Sequence, residues 1–388
     1  MNLLHLCISN YYIDNYSYQE NLLPKYHKLN GYNVSIIASL KTFDANGNPS
    51  FLEKGSSYIN EYGIPVTRLN YKSPFKSISK QTRSCEGTYE AIARVAPDII
   101  FIHGCQFLDM YQVVKYVKKN PEVKIYVDNH SDFINSAGSW VSRNIFHKIV
   151  WRRCVKLIEP YTTMFYGVLP ARVDFLIKMY NLPQDKVELL IMGADDEKLD
   201  FENQPQIRKD IRDKLEIGMD DFVLITGGKI DRRKNVHLLL QAMKEIEDNK
   251  IKLIVFGSCD EEMRAELSLL SNRENIRNIG WISASEQNNY FLASDLAVFP
   301  GTHSVLWEQA IGAGLPCIFK KWDGMQHVDV GGNCLFLNQD SVLEIKQMIL
   351  KLYHNRDLFN TMKSVAIQKG IVHFSYSEIA KRSIKLDK

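Results

Sequence analysis

Apolar residues fall into short continuous runs separated by longer amphipathic stretches. In the first half the runs are Leu3–Ile8, Val34–Ser39, Pro65–Asn70, Asp98–His103 and Val123–Asp128, with Thr163–Tyr166 and Val187–Ile191 after them. Tyr18–Leu29 and Leu108–Lys119 repeat their apolar residues at helical spacing. Short apolar runs alternating with helical periods predict a parallel, doubly wound sheet covered on both faces.

The rhythm pauses over the charged stretch Gly193–Asp220, where Asp196–Gln206 reads as a linker. A second series follows: Phe222–Thr226, Lys252–Phe256, Ile276–Ile282, Leu296–Phe299, Pro316–Phe319 and Cys334–Leu337, then a helical tail, Ser375–Leu386. The pattern predicts an α/β chain of two Rossmann-like units. Residues 1–195 form the first, completed by 373–388, and 196–372 form the second. A ligand site is expected between them.

Composition changes this picture little. The net charge of +3 is too small to argue for nucleic-acid binding. Seven scattered cysteines form no CxxC pair, which points to a reducing compartment and away from a disulfide framework or metal cluster. The start, MNLLHLCIS, lacks a basic leader and reads as a strand. No apolar run approaches the roughly 18 residues of a membrane span. A cytoplasmic protein is expected, with peripheral contact to a membrane as an extension. The basic stretch RNIFHKIVWRRCVK would serve such contact, or equally be a solvated helix face.

Two stretches carry candidate chemistry. In VLITGGKIDRRKNVHLLLQAM a strand runs into Gly227-Gly228, and Lys229, Arg232, Arg233 and Lys234 follow before a helix. Glycines admit a ligand close to the backbone, and cations at that sheet edge suit a diphosphate. The spacing is neither that of a P-loop nor of a dinucleotide fingerprint. A solvated basic turn is the competing reading. In FPGTHSVLWEQAIGAGLPCIF, Thr302 or Ser304 is expected to cap a helix carrying Glu308. Its apolar neighbours predict a buried acid, which needs a partner. Vicinal hydroxyls of a ribose would supply one. His103, ending the run DIIFIH, is either a site residue or a structural histidine with backbone partners.

These segments resemble those of retaining GT-B glycosyltransferases of family four. GGKIDRRKN with LLLQAM is similar to that family's G-R-L-x-x-x-K-G…LL-x-A segment. NIGWISASEQNNYFLASDLAVFP, WEQAIGAGLPCI and LPQDKVELLIMGAD are similar to three further segments, in the same order. The resemblance implies a nucleoside-diphosphate-sugar donor held by the second unit, a hydroxyl acceptor on the first, and no metal or other cofactor. The acceptor would be a glycan, a lipid-linked glycan or a small alcohol, in bacterial surface polysaccharide or glycoconjugate assembly.

It also implies roles. Lys229 and Lys234 would hold the diphosphate beside Gly228 and Arg233, Glu308 the ribose, and the backbone near Trp281 and Ile282 the base. KIYVDNHSDF makes His130 the residue at the donor sugar, with Asp128 and Asp132 beside it. The tyrosine-rich first loop, through Tyr18, would face an acceptor or pack on its own helix.

One departure stands out. The family's paired acids lie eight residues apart, and position 300 is Pro. His303, Ser304 and Val305 occupy a shortened loop, where they take over contacts to the sugar, serve a different donor, or mark lost activity. A nucleotide-sugar epimerase and an inactive partner subunit are the alternatives.

Overall fold

A computed structural model describes residues 1–44 and 48–385, apart from the side chain at 285. Leu386, the expected end of the tail helix, lies outside the described residues. The chain divides into two units, Met1–Ile191 with Ile379–Lys388, and Met192–Glu378. The expected boundaries at 195 and 373 shift because Ala194 is laced to the later segment. Its N–H donates to Phe374 O at 2.8 Å, and Tyr376 N–H donates to its carbonyl at 3.1 Å.

The first unit is built on an eight-stranded sheet in the order β10-β9-β8-β7-β1-β2-β6-β5. Its strands are β1 (Asn2–Cys7), β2 (Asn33–Ala38), β5 (Ser57–Ile59), β6 (Pro65–Arg68), β7 (Ile99–His103), β8 (Lys124–Asn129), β9 (Thr162–Gly167) and β10 (Val187–Leu189). All pair in parallel except β5 with β6. A small antiparallel hairpin, β3 (Lys41–Phe43) with β4 (Pro49–Phe51), stands beside it. The second unit has six parallel strands in the order β13-β12-β11-β14-β15-β16. These are β11 (Phe222–Gly227), β12 (Ile251–Phe256), β13 (Ile276–Gly280), β14 (Leu296–Phe299), β15 (Cys317–Lys320) and β16 (Cys334–Leu337).

Central strands are buried along their whole length because helices cover both faces, which is why they read as unbroken apolar runs. In each sheet the order reverses beside one strand: β1 lies between β2 and β7, and β11 between β12 and β14. The connections diverge there and leave a crevice at the carboxyl ends, the usual ligand position of such sheets.

The expected linker is a correction. Only its start is a short turn, Asp196–Lys198, and Gln204–Lys214 is a helix. The helix hides from apolar periodicity because it packs through Arg212, whose side chain is wholly buried. That guanidinium donates to the carbonyls of Ala293, Gly218, Met219 and Asp221 and pairs with Asp295 at 2.8 Å.

Candidate functional site

At the crevice of the second sheet, β11 ends in Gly227 and the chain turns through Gly228 at φ +107°. A Cβ there would meet Leu306 Cδ1 at 2.8 Å. The loop after β14 lies against the basic loop after β11. A Cβ on Gly301 would stand 2.3 Å from Arg233 O and 2.5 Å from Lys234 Cα, so only glycine permits the approach. Hydrogen bonds stitch the two loops. Thr302 N–H donates to Arg233 O (3.0 Å) and Asn235 Nδ2 to Pro300 O (3.2 Å). Lys234 Nζ donates to Thr302 O (2.9 Å) and His303 O (2.8 Å). Burial pushes the Lys234 ammonium down to about 8.

The other expected cations behave differently. Lys229 has 73% of its side chain exposed and pairs loosely with Asp260 at 3.7 Å. Arg233 is 76% exposed and pairs with Asp231 at 2.6 Å. Four cations that spacing makes equal are therefore unequal, and among them only the Lys234 side chain bonds to the loop before Glu308.

Glu308 is wholly buried in the helix Leu306–Gly312. That helix starts after Val305 without a side-chain cap, which corrects the expected capping by Thr302 or Ser304. Ser304 Oγ lies 3.4 Å from Leu306 N, too far for a strong bond. Glu308 Oε1 stands 2.8 Å from the Nε2 atoms of both His303 and His327. Burial alone would raise its pKa, but the two imidazoles hold the carboxyl down to about 2. The second oxygen, Oε2, is buried without a hydrogen-bond partner among the described residues.

His327 was not singled out from sequence. It sits in the short turn Gln326–Val328 beyond β15, one strand further along the same edge, and its place after a strand was the available signal. Trp307 stacks on Phe319 with ring centroids 4.3 Å apart and fixes the helix. Trp281, 74% exposed, and half-buried Ile282 follow β13 on the carboxyl side of the sheet.

His303, Glu308 and His327 are also the side chains that could present a divalent cation, with ligand atoms within 4.8 Å of one another. The surroundings fit an ion poorly. A ligating imidazole normally donates its other N–H to an acceptor, and His327 Nδ1 is buried with none.

In the first unit His130 follows β8. Its Nε2 lies 3.5 Å from Asp128 Oδ1 and 3.8 Å from Glu20 Oε1. Burial opposes charging this ring, but the two carboxylates outweigh it and its pKa is raised. Asp128 is wholly buried and held well below the usual carboxylate range. Burial works the other way, and the His103 and His130 imidazoles overcome it.

Behind Asp128 runs a line of three histidines that sequence did not reveal. His103 Nδ1 lies 2.7 Å from Asp128 Oδ2, and His103 Nε2 lies 2.9 Å from His5 Nδ1. His5 Nε2 is 3.0 Å from His27 Nδ1, and His27 Nε2 is 2.8 Å from Ser383 Oγ. An ionised Asp128 only accepts, so His103 donates from Nδ1. At the far end His27 Nε2 also lies 3.1 Å from the Ala380 carbonyl, to which the Ser383 hydroxyl donates. His103 thus serves as the partner of Asp128.

Asp132 lies two residues beyond His130, in the turn after β8. Its Oδ1 accepts from Ile134 N–H (2.8 Å) and Asn135 N–H (2.7 Å), shaping the turn. Tyr18 precedes the helix Gln19–Leu29, partly exposed, and packs on Tyr16 at 5.2 Å, so it sits against its own loop.

Comparison with known proteins bears on the fold. An uncharacterized glycosyltransferase of Methanocaldococcus jannaschii is 22% identical over 223 residues, 54% of this chain and 56% of the relative, so the match spans little more than half of either protein. Among solved structures, sucrose-phosphate synthase from Thermosynechococcus elongatus superposes with a TM-score of 0.68 at 14% identity, covering 98% of this chain and 97% of that one. Anabaena HepE, solved with UDP and glucose, gives 0.65 at 15% identity, covering 98% of each. The family profile for Glycosyl transferases group 1 matches residues 207–369. Residues 207–369 of the second unit thus resemble the group 1 glycosyltransferases, and the chain as a whole has the GT-B fold.

Proposed function

We propose that the protein is a retaining glycosyltransferase that moves a sugar from a nucleoside-diphosphate sugar to a hydroxyl acceptor, without a bound metal. The observation that carries this reading is the joining of Lys234 and the Glu308 loop at the crevice of the second sheet through Gly301. Lys234 is the fixed cation for the departing diphosphate, a preorganised charge at the place where negative charge develops. Glu308 is the acceptor for the ribose hydroxyls, which would give Oε2 the partner it lacks. His130, its pKa raised by Glu20 and Asp128, orients the sugar. The anomeric carbon–oxygen bond to the diphosphate breaks, the acceptor oxygen bonds on the same face, and its proton passes to the leaving phosphate oxygen.

HepE, solved with UDP and glucose, supports a uridine donor as the first to test. Six of the seven cysteines are buried and all are free, which fits a reducing cytoplasm. Surface-polysaccharide or glycoconjugate assembly is the proposed setting, by family analogy. Peripheral membrane contact would use the helix Ser142–Trp151, where Ile149 is exposed beside Arg143 and Lys148, with Trp140 just before it.

The test is a thermal-shift screen of nucleotide sugars, followed by transfer assays with the stabilising donor. A true donor raises Tm by mass action. Donor turnover that requires an alcohol supports the reading. Sugar epimerisation without acceptor, or binding without turnover across an acceptor panel, overturns it.

A further inference from the structure

Two cations at the carboxyl edge of the first sheet have, among the described residues, no carboxylate to balance them. Arg83 is half-buried. Its Nη1 donates to Ser9 Oγ and to Gln106 O, both at 2.6 Å, and its guanidinium lies over Trp151 at 5.4 Å. Lys41 Nζ donates to Ser9 O at 2.6 Å and stands 5.3 Å from the Tyr11 ring. Among the described residues neither forms an ion pair with Asp or Glu. The contrast with other buried guanidiniums is clear: Arg68 has Asp14 at 3.7 Å, and Arg212 has Asp295 at 2.8 Å.

Burial disfavours both charges. It lowers Arg83, and it pushes Lys41 down to about 7, with repulsion from Arg83 adding to the effect. The neighbouring groups that could turn negative, Tyr71, Tyr180, Cys85 and Cys105, are themselves pushed up by burial and stay neutral. A desolvated cation without a counter-charge is costly and is expected where a ligand supplies the anion.

The location supports a ligand. Ser9 lies just past β1 and Gln106 just past β7, adjacent strands whose connections diverge, so the cations sit at the switch point of this sheet. A cavity of about 530 Å³ opens there. Arg83, Gln106, Ser131, Ser136, Ser142 and Trp151 line it, and Ser131 adjoins His130 in sequence. A guanidinium forks onto phosphate or carboxylate oxygens, while serine hydroxyls and an indole face suit a sugar ring.

We propose that this cavity is an oxyanion-binding acceptor subsite, taking a saccharide that carries a phosphate or carboxylate group, with Arg83 in its wall as the counter-ion and Lys41, held on Ser9 O behind that wall, adding positive charge. Calling the ligand an acceptor rests on the transferase reading; the anion site does not.

Isothermal titration of the full chain with glucose 1-phosphate, glucuronate and glucose, at matched ionic strength and without donor, tests it. At least one anionic sugar is expected to bind at least tenfold more tightly than glucose. The stronger of the two tells a phosphate source from a uronate source. Lys41→Gln and Arg83→Gln should each weaken that binding at least fivefold, while Lys234→Ala leaves it unchanged. Should Arg83→Gln fail to fold, Lys41→Gln carries the test. Equal binding of glucose, no binding of either anionic sugar, anion binding that survives the substitution at Lys41, or loss in Lys234→Ala overturns the proposal. If UDP-sugars fail to bind while the Lys41 dependence holds, the donor reading falls and the anion site stands.

Discussion

Glu308 and His327, nineteen residues apart in sequence, stand 2.8 Å apart, and His303 shares the same carboxylate oxygen at the same distance. A buried anion is tolerable here because two imidazoles face it. Its folded pKa, about 2, lies below the ordinary value of 4.5. The resulting stability is fully present above pH 4.5 and is lost as pH falls towards 2. That difference corresponds to about 3 kcal/mol at most. Urea unfolding of Glu308→Gln between pH 7 and pH 3 should show a shallower acid loss than the unsubstituted protein. Donor binding should weaken by about 10- to 150-fold, the scale of charge-assisted hydrogen bonds worth 1.5–3 kcal/mol. An unchanged donor Kd would remove Glu308 from the ribose site.

Lys234 and Lys229 look interchangeable in sequence, but they differ in surroundings. Lys234→Ala should cost about 2–4 kcal/mol of transition-state stabilisation, seen as a roughly 30- to 1,000-fold fall in kcat/KM. Lys229→Ala, removing a side chain that is 73% exposed, should cost less than about fivefold, the range of exposed ion pairs. The pH profile adds a second check. The free enzyme's Lys234 loses its proton near pH 8, so kcat/KM should fall as pH rises through 8. Stability should move the opposite way. Between pH 8 and 10.5 the unfolded chain binds the extra proton, so this group's contribution rises with pH. A flat alkaline limb in kcat/KM would argue against Lys234 as the charged group.

What the sequence disclosed follows from how each feature is encoded. The central strands were legible because burial on both faces demands unbroken apolar runs. The three-residue strands β3, β4 and β5 were not, since their positions are half-buried or exposed and carry no period. The helix Gln204–Lys214 was invisible because a buried guanidinium anchors it where an apolar stripe would normally do so. At the site, Glu308 as a buried acid was readable from its apolar neighbours. Its histidine partners were less so: His327 comes from a separate loop, and His303 was expected at the sugar and not at the carboxylate. The line His27–His5–His103 is assembled from three separate elements by sheet order, which no local spacing encodes.

That line should make the first unit sensitive to acid. Burial lowers both His5 and His27, the latter to about 3, against an ordinary 6.5. The unfolded chain therefore takes up protons first, and stability drains away as pH falls from 6.5 towards 3. His27 contributes about 1.4 kcal/mol per pH unit in that window. His27→Gln should lower stability at pH 7, through the lost bonds to His5 and Ser383, yet flatten its decline between pH 6 and 4. Denaturant midpoints across that range would show it, and an unaltered slope would mean His27 does not titrate on unfolding.

Gly301 offers a test of loop geometry separate from any charge. A Cβ at this position would press into the backbone of Arg233 and Lys234 at 2.3–2.5 Å, far inside van der Waals contact. Backbone atoms cannot swing aside as a flexible side chain can, so the two loops must separate. The bonds from Lys234 Nζ to Thr302 O and His303 O, and from Thr302 N–H to Arg233 O, would go with them. Gly301→Ala should therefore reduce kcat/KM nearly as far as Lys234→Ala while leaving every ionisable group in place. The double variant should then cost little more than either single one, because both act by taking the same ammonium away from the donor. If the two losses instead add in full, Gly301 and Lys234 act independently, and the shared-crevice arrangement of Lys234 with Glu308 loses its structural basis.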